Sequence, residues 1–112
     1  MVVTGLAALL TLASCSPTPQ PCPRLEERLF RLAVSADPEA FASQAGLYYR
    51  EGRLRVIAEL ESPQAPSPSL PGLVVEARAA ELVQALVPPD RLCSLASAEG
   101  VRLVRSPVEP TR

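Results

Sequence analysis

Four prolines crowd the stretch Ser62–Pro71, at positions 63, 66, 68 and 71. Proline locks φ and offers no backbone donor, so this stretch can be neither a regular helix nor a central strand. It must be a loop, and it divides the chain into two structured halves joined without a helix.

In the half before the loop, Leu47-Tyr48-Tyr49-Arg50 and Arg53–Leu60 flank Glu51-Gly52. Two apolar-rich runs about a glycine predict a hairpin with its turn at that glycine. Along the second run Leu54, Val56, Ala58 and Leu60 alternate onto one face and Arg53, Arg55, Ile57 and Glu59 onto the other. Upstream the periodicity is helical. Pro23 suits a first helical position, and Leu25, Leu29, Leu32 and Ala36 follow at spacings of four, three and four. Asp37-Pro38-Glu39 predicts a second helix, with a capping carboxylate, proline at the first position and an acidic residue at the positive dipole end; Gly46 should stop it.

In the half after the loop, Gly72–Ala77 and Leu82–Val87 predict two strands with a weak break at Ala79-Ala80-Glu81. Pro88-Pro89-Asp90 opens a helix that points Leu92, Leu95 and Ala96 one way and ends at Gly100, and Val101–Arg105 is a last strand. The expected fold class is α+β: a small ferredoxin-like or split β-α-β sheet with helices on one face, preceded by N-terminal helices. One domain, 23–107, should follow a signal segment 1–14 and a proline-rich stalk 15–22, and precede a tail 108–112.

Leu6–Ala13 is an apolar run too short to cross about 30 Å of hydrocarbon as a helix but long enough for the core of a signal peptide. It ends in Leu12-Ala13-Ser14-Cys15, which resembles the lipobox of bacterial lipoproteins. The resemblance implies cleavage before Cys15, lipid on that cysteine and residence at the cell envelope, and Ser16 after it, a residue other than Asp, implies the outer membrane where the host has two. It also implies a membrane as partner through the anchor, since two or three acyl chains hold firmly where one is marginal. Ser16-Pro17-Thr18-Pro19-Gln20-Pro21 alternates proline with polar residues, the pattern of an extended spacer of about 3 Å per residue.

Histidine is absent from the chain. No Ser-His-Asp or Cys-His nucleophile, imidazole base or His-containing zinc site can therefore be assembled. A net charge of −1 argues against a dedicated nucleic-acid binder, which needs clustered positive charge to displace counterions. No glycine-rich phosphate loop, calcium loop or Cys-x-x-Cys pair is present, so neither a cofactor, a metal nor a small-molecule ligand is expected. Glu59 and Glu61 would share a face if their strand ran on past Leu60, the only arrangement suggestive of acid-base chemistry, but solvated edge carboxylates are far commoner. The chain is thus expected to be no enzyme. With Cys15 lipidated, Cys22 and Cys93 are the thiols left to pair in an oxidising compartment; the alternative is that Cys93 is a small buried hydrophobe beside Leu92.

From Leu82 the order Leu-Val-Gln-Ala-Leu-Val-Pro-Pro, then Leu92, Leu95-Ala96, Gly100-Val101, Val104-Arg105 and Pro107, resembles a small module that occurs ahead of subtilisin-like proteases. It is more distantly similar to the prosegment inhibitor domains of those proteases. That resemblance implies a ferredoxin-like sheet with one face under helices and the other docking on a partner. The helix that crosses between the first two strands of a prosegment is here replaced by Ser62–Pro71. With seven residues after Arg105, the implied role is binding rather than inhibition in cis.

Along the last strand Arg102 and Val104 alternate against Val101 and Leu103. If it shares a sheet with Arg53–Leu60, a helix-free face of Arg53, Arg55, Ile57, Arg102 and Val104 is the expected partner-binding surface. The functional expectation is a lipid-anchored, noncatalytic protein-binding domain whose partner is an envelope protein or a protease. The alternative is a structural or assembly lipoprotein acting through anchor and stalk alone, and a hydrolase is more remote.

Overall fold

A computed structural model of the chain describes residues 22–107. The signal segment, Cys15 and most of the stalk lie outside the described residues, as does the tail from 108.

Two short helices come first. In α1, Glu27–Ala33, Leu29 and Leu32 are fully buried. The helix starts later than its apolar spacing suggests, because Arg24 adopts a left-handed φ of 68° and Leu25 forms a parallel bridge to Val104. The Val104 amide donates to the Arg24 carbonyl at 2.8 Å and the Glu26 amide to the Val104 carbonyl at 2.9 Å. Leu25 is thus buried against a strand edge, and Ala36 lies exposed beyond the helix end. In α2, Pro38–Ala45, the Asp37 carboxylate accepts from the Ala40 amide at 3.1 Å, satisfying one free donor of the first turn. Gly46, at φ 73°, closes the helix in the left-handed conformation that costs glycine nothing.

The sheet is antiparallel and five-stranded: β1 (Tyr49–Arg50), β2 (Arg53–Leu60), β3 (Val74–Ala79), β4 (Leu82–Val87) and β5 (Val101–Arg105). Glu51 and Gly52, both at positive φ, make the tight turn between β1 and β2. β3 begins two residues later than its apolar run because Gly72 is still in a turn at φ 83°, where an added Cβ would lie 2.7 Å from the Pro88 ring. It also runs on through Arg78 and Ala79, which pair with Val83 and Leu82, so only Ala80 and Glu81 join it to β4.

From β4 the chain passes through a 3-10 turn (Pro89–Arg91) and α3 (Leu92–Ala96) into β5. Both β4 and β5 pair antiparallel with β2, one on each side, so the three form a split β-α-β unit. Strand order β5-β2-β4-β3 is that of a ferredoxin-like sheet, with β1 sharing the outer edge of β2 with β5. The proline-rich loop replaces the first crossover helix, and the helix layer is made instead by α1, which packs on α2 and α3.

That layer covers one face. Leu54, Val56, Ala58 and Leu60 of β2, Val83, Ala85 and Val87 of β4, and Val101 and Val104 of β5 meet Leu29, Leu32, Leu92, Leu95 and Ala96 in one core. Each large aliphatic buried there contributes roughly 1.5–3 kcal/mol of transfer free energy.

The N-terminal end of the described residues is fastened to this layer. Cys22 and Cys93 are joined by a disulfide, Cα to Cα 5.7 Å. Glu26 Oε1 accepts from the Ser106 amide at 2.7 Å and its hydroxyl at 2.9 Å, and Arg28 donates to the same hydroxyl. Ser106 is the one buried polar residue among those described, and these contacts satisfy it.

Candidate interaction surface

Among the described residues, no helix covers the opposite face of the sheet. Strand pleating puts Arg53, Arg55, Ile57 and Glu59 of β2 there, each half-buried where its neighbours in the strand are fully buried. Cross-strand pairing assigns the rest. Arg50 lies opposite Arg53, Leu86 opposite Arg55, Gln84 and Arg105 opposite Ile57, and Leu82 and Leu103 opposite Glu59. On β3, Val74 continues the Arg55–Leu86 row and Ala77 the Ile57–Gln84 row.

Two ion-pair clusters organise this surface. Arg55 grips Glu76 through Nε at 2.8 Å and Nη2 at 2.9 Å, and its guanidinium carbon lies 3.9 Å over the Tyr48 ring. Gln84 Nε2 donates to the same Glu76 at 3.1 Å. A bidentate fork stacked on an aromatic face holds Arg55 in one geometry. Glu76 reaches it because the β3–β4 register shifts between Val75 and Ala77, leaving Glu76 in a bulge. In the second cluster Glu59 accepts from Arg105 Nε at 2.6 Å and from Arg102 Nη2 at 2.9 Å.

The electrostatics follow from these contacts. Hydrogen bonds from Arg105 and then Arg102 hold the Glu59 carboxyl below its usual range, and Arg55 does the same for Glu76. Both stay charged at neutral pH, the opposite of the shift a general acid requires. Glu61 lies beyond the end of β2 and is exposed, so the two carboxylates do not share a strand face. Among the described residues no cluster of three His, Cys, Asp or Glu side chains could hold a metal ion, and no helix is long and apolar enough to cross a membrane.

Two depressions open on this side. One, of about 410 Å³, lies where β1 and β5 meet the edge of β2, lined by Gly46, Leu47, Tyr48, Arg55, Gln84 and Pro107. The other, of about 200 Å³, lies between Ile57, Leu82, Gln84 and residues 77–79. Around them Val74 and Leu82 are exposed aliphatics, at 43% and 38%.

Of the five residues expected at a docking face, Arg53, Arg55, Ile57 and Arg102 share the helix-free side. Val104 does not: it is fully buried in the core, opposite Ala58. Simple alternation fails in β5 because its register with β2 shifts between Glu59 and Leu60, so Glu59 opposes Leu103 while Leu60 opposes Val101. Arg102 occupies the extra position, both valines face inward, and Leu103 and Arg105 take the outer face. Arg105, Glu76, Tyr48, Gln84 and Leu82 were not anticipated by sequence reasoning. The alternation Tyr48, Arg50 across the hairpin carried a signal for Tyr48; the bulge that delivers Glu76 carried none.

Comparison with protein-family models, with curated proteins and with solved structures returns no match.

Proposed function

We propose that this chain is a lipid-anchored protein of the bacterial cell envelope whose helix-free sheet face docks another protein without catalysis. The observation that carries the reading is the composition of that face: arginines fixed by ion pairs beside exposed aliphatics, rather than a uniformly charged, solvated surface. Arginine gives directional contacts and desolvated aliphatics give area, the pairing enriched at protein interfaces. The anchor rests on Leu12-Ala13-Ser14-Cys15 behind its apolar run, and outer-membrane residence, for a two-membraned host, on Ser16 following Cys15. An envelope protease is among the partners suggested by the likeness of Leu82–Pro107 to protease prosegments.

Two experiments test the two halves of this reading. Cys15→Ala should abolish incorporation of an alkyne-bearing palmitate and block processing; labelling that persists refutes the anchor. For the docking face, a photo-crosslinking amino acid placed at Leu82 should trap a discrete envelope protein in living cells, whereas the same group at exposed Gln44 on the helix layer should not. No adduct from position 82, or the same adducts from both positions, refutes it.

A further inference from the structure

We propose that the segment docking on the helix-free face is acidic, an extended stretch of partner chain that alternates carboxylates with aliphatics; this rests on the docking reading above. The argument begins with a charge imbalance. Among the described residues Arg50, Arg53, Arg55, Arg102 and Arg105 lie on this face, against Glu59 and Glu76, with Glu51 in the turn beside Arg50. The chain as a whole carries −1, so the excess of cations is a property of this surface and not of the composition.

Among the described residues the internal ion pairs leave donors over. Arg102 and Arg105 divide a single carboxylate, and Arg102 keeps 58% of its side chain exposed while giving Glu59 one hydrogen bond. Arg53 spends Nε on the Gly72 carbonyl, and Arg50 spends one nitrogen on the Tyr48 hydroxyl. Guanidinium groups held in place with unspent donors suit carboxylates, which accept from two parallel N–H groups at once.

Position along the sheet gives the partner its pattern. The arginines gather over β1, the outer edge of β2 and β5, whereas Leu86, Leu82, Val74 and Ala77 occupy β4 and β3. A strand-like segment crossing this face would set carboxylates on one side and aliphatics on the other, and the cleft of about 410 Å³ beside Arg55 admits a side chain.

A protein segment fits better than an anionic membrane surface. The disulfide to Cys93 holds Cys22, the N-terminal end of the described residues, on the helix layer, on the side of the sheet away from the arginines. That helix layer also presents Glu27, Asp37, Glu39 and Asp90, interspersed with Arg31 and Arg91.

The test uses the full chain and rhodamine-labelled octapeptides of alternating glutamate and leucine, glutamine and leucine, or arginine and leucine. Fluorescence anisotropy should show the glutamate peptide binding about tenfold more tightly than the glutamine one, more weakly as salt rises, with the arginine peptide weakest. Arg50→Gln with Arg102→Gln should weaken the glutamate peptide about fivefold, as expected for two exposed charge pairs, whereas Arg31→Gln with Arg91→Gln on the helix layer should change nothing. Both pairs remove the same charge from exposed positions, and circular dichroism checks the fold.

Equal binding of the glutamate and glutamine peptides overturns the inference. So does equal weakening by both double variants, or arginine-dependent binding to phosphatidylglycerol vesicles without peptide binding. If no peptide binds while the crosslink from position 82 persists, the acidic partner is wrong and the docking face stands.

Discussion

Reducing the Cys22–Cys93 bridge perturbs this domain more than any single surface change would. The bond closes a loop with a sequence separation of 71. On the loop-entropy model, freeing a loop of that length stabilises the unfolded ensemble by about 4 kcal/mol, against a typical total of roughly 5–15 kcal/mol for a native domain. At about 4–8 °C per kcal/mol for a domain near 100 residues, the melting temperature should fall by roughly 15–30 °C. Reduction is a cleaner perturbation than replacement, because both cysteines are half-buried against the core and a smaller side chain would add a packing loss. The assay is urea unfolding of protein made in an oxidising compartment, with and without a phosphine reductant, followed by circular dichroism, alongside intact mass after alkylation. The oxidised chain should take up no alkylating agent at either position, and the midpoints should differ by roughly 2–4 M urea for a slope near 1–2 kcal/mol/M. Two alkylated thiols in unreduced protein made in an oxidising compartment would refute the bridge. A difference below about 1 kcal/mol would refute the loop-closure account of its effect.

Three further outcomes are expected. Ala80 sits at φ 56° in the turn between β3 and β4, where a Cβ is strained, so Ala80→Gly should raise stability by about 0.5–1 kcal/mol in urea unfolding despite glycine's greater freedom when unfolded. Glu26→Ala leaves the buried Ser106 amide and hydroxyl without their acceptor and should cost about 1–3 kcal/mol, while Ser106→Ala in the same background should recover part of that loss. Glu59 and Glu76 have folded pKa values below their usual 4.5, so their stabilisation is fully present above about pH 4.5 and is lost as pH falls through the lower folded values. Stability measured from pH 6 to pH 2.5 should therefore decline below about 4.5, and Glu59→Gln should flatten that decline; an unchanged acid limb would count against the Arg102–Glu59–Arg105 cluster.

The elements that were legible in the sequence are those whose determinants are local. Asp37-Pro38 and Gly46 bracket α2 because capping and left-handed termination involve only neighbouring backbone. Glu51-Gly52 marks the first hairpin, and the strict alternation of β2 assigns its two faces because the strand pairs on both sides along its length. The start of α1 was not legible. Leu25 has helical spacing to Leu29, yet bridging to Val104, 79 positions away in sequence, competes for the same backbone and wins, with Arg24 turning left-handed to allow it.

The candidate interaction surface depends on the same kind of long-range term, which explains why four of its expected residues sit together and the fifth does not. Period-two alternation holds only while the register with the neighbouring strand is constant. In β5 the register slips by one beside Glu59, so Val101 and Val104, three apart and thus on opposite faces of an ideal strand, both enter the core. The slip has a chemical consequence beyond hiding Val104. Without it Arg102 and Leu103 would alternate across the sheet, and Arg102 and Arg105 could not both reach the outer face where Glu59 stands. With it, two arginines converge on one carboxylate and leave cationic donors over. In β3 the bulge at Glu76 does the converse, adding to the outer face the carboxylate that neutralises Arg55. Two one-residue irregularities thus set the charge pattern of the face: arginine in excess over β5, balance at the centre and aliphatics over β3 and β4.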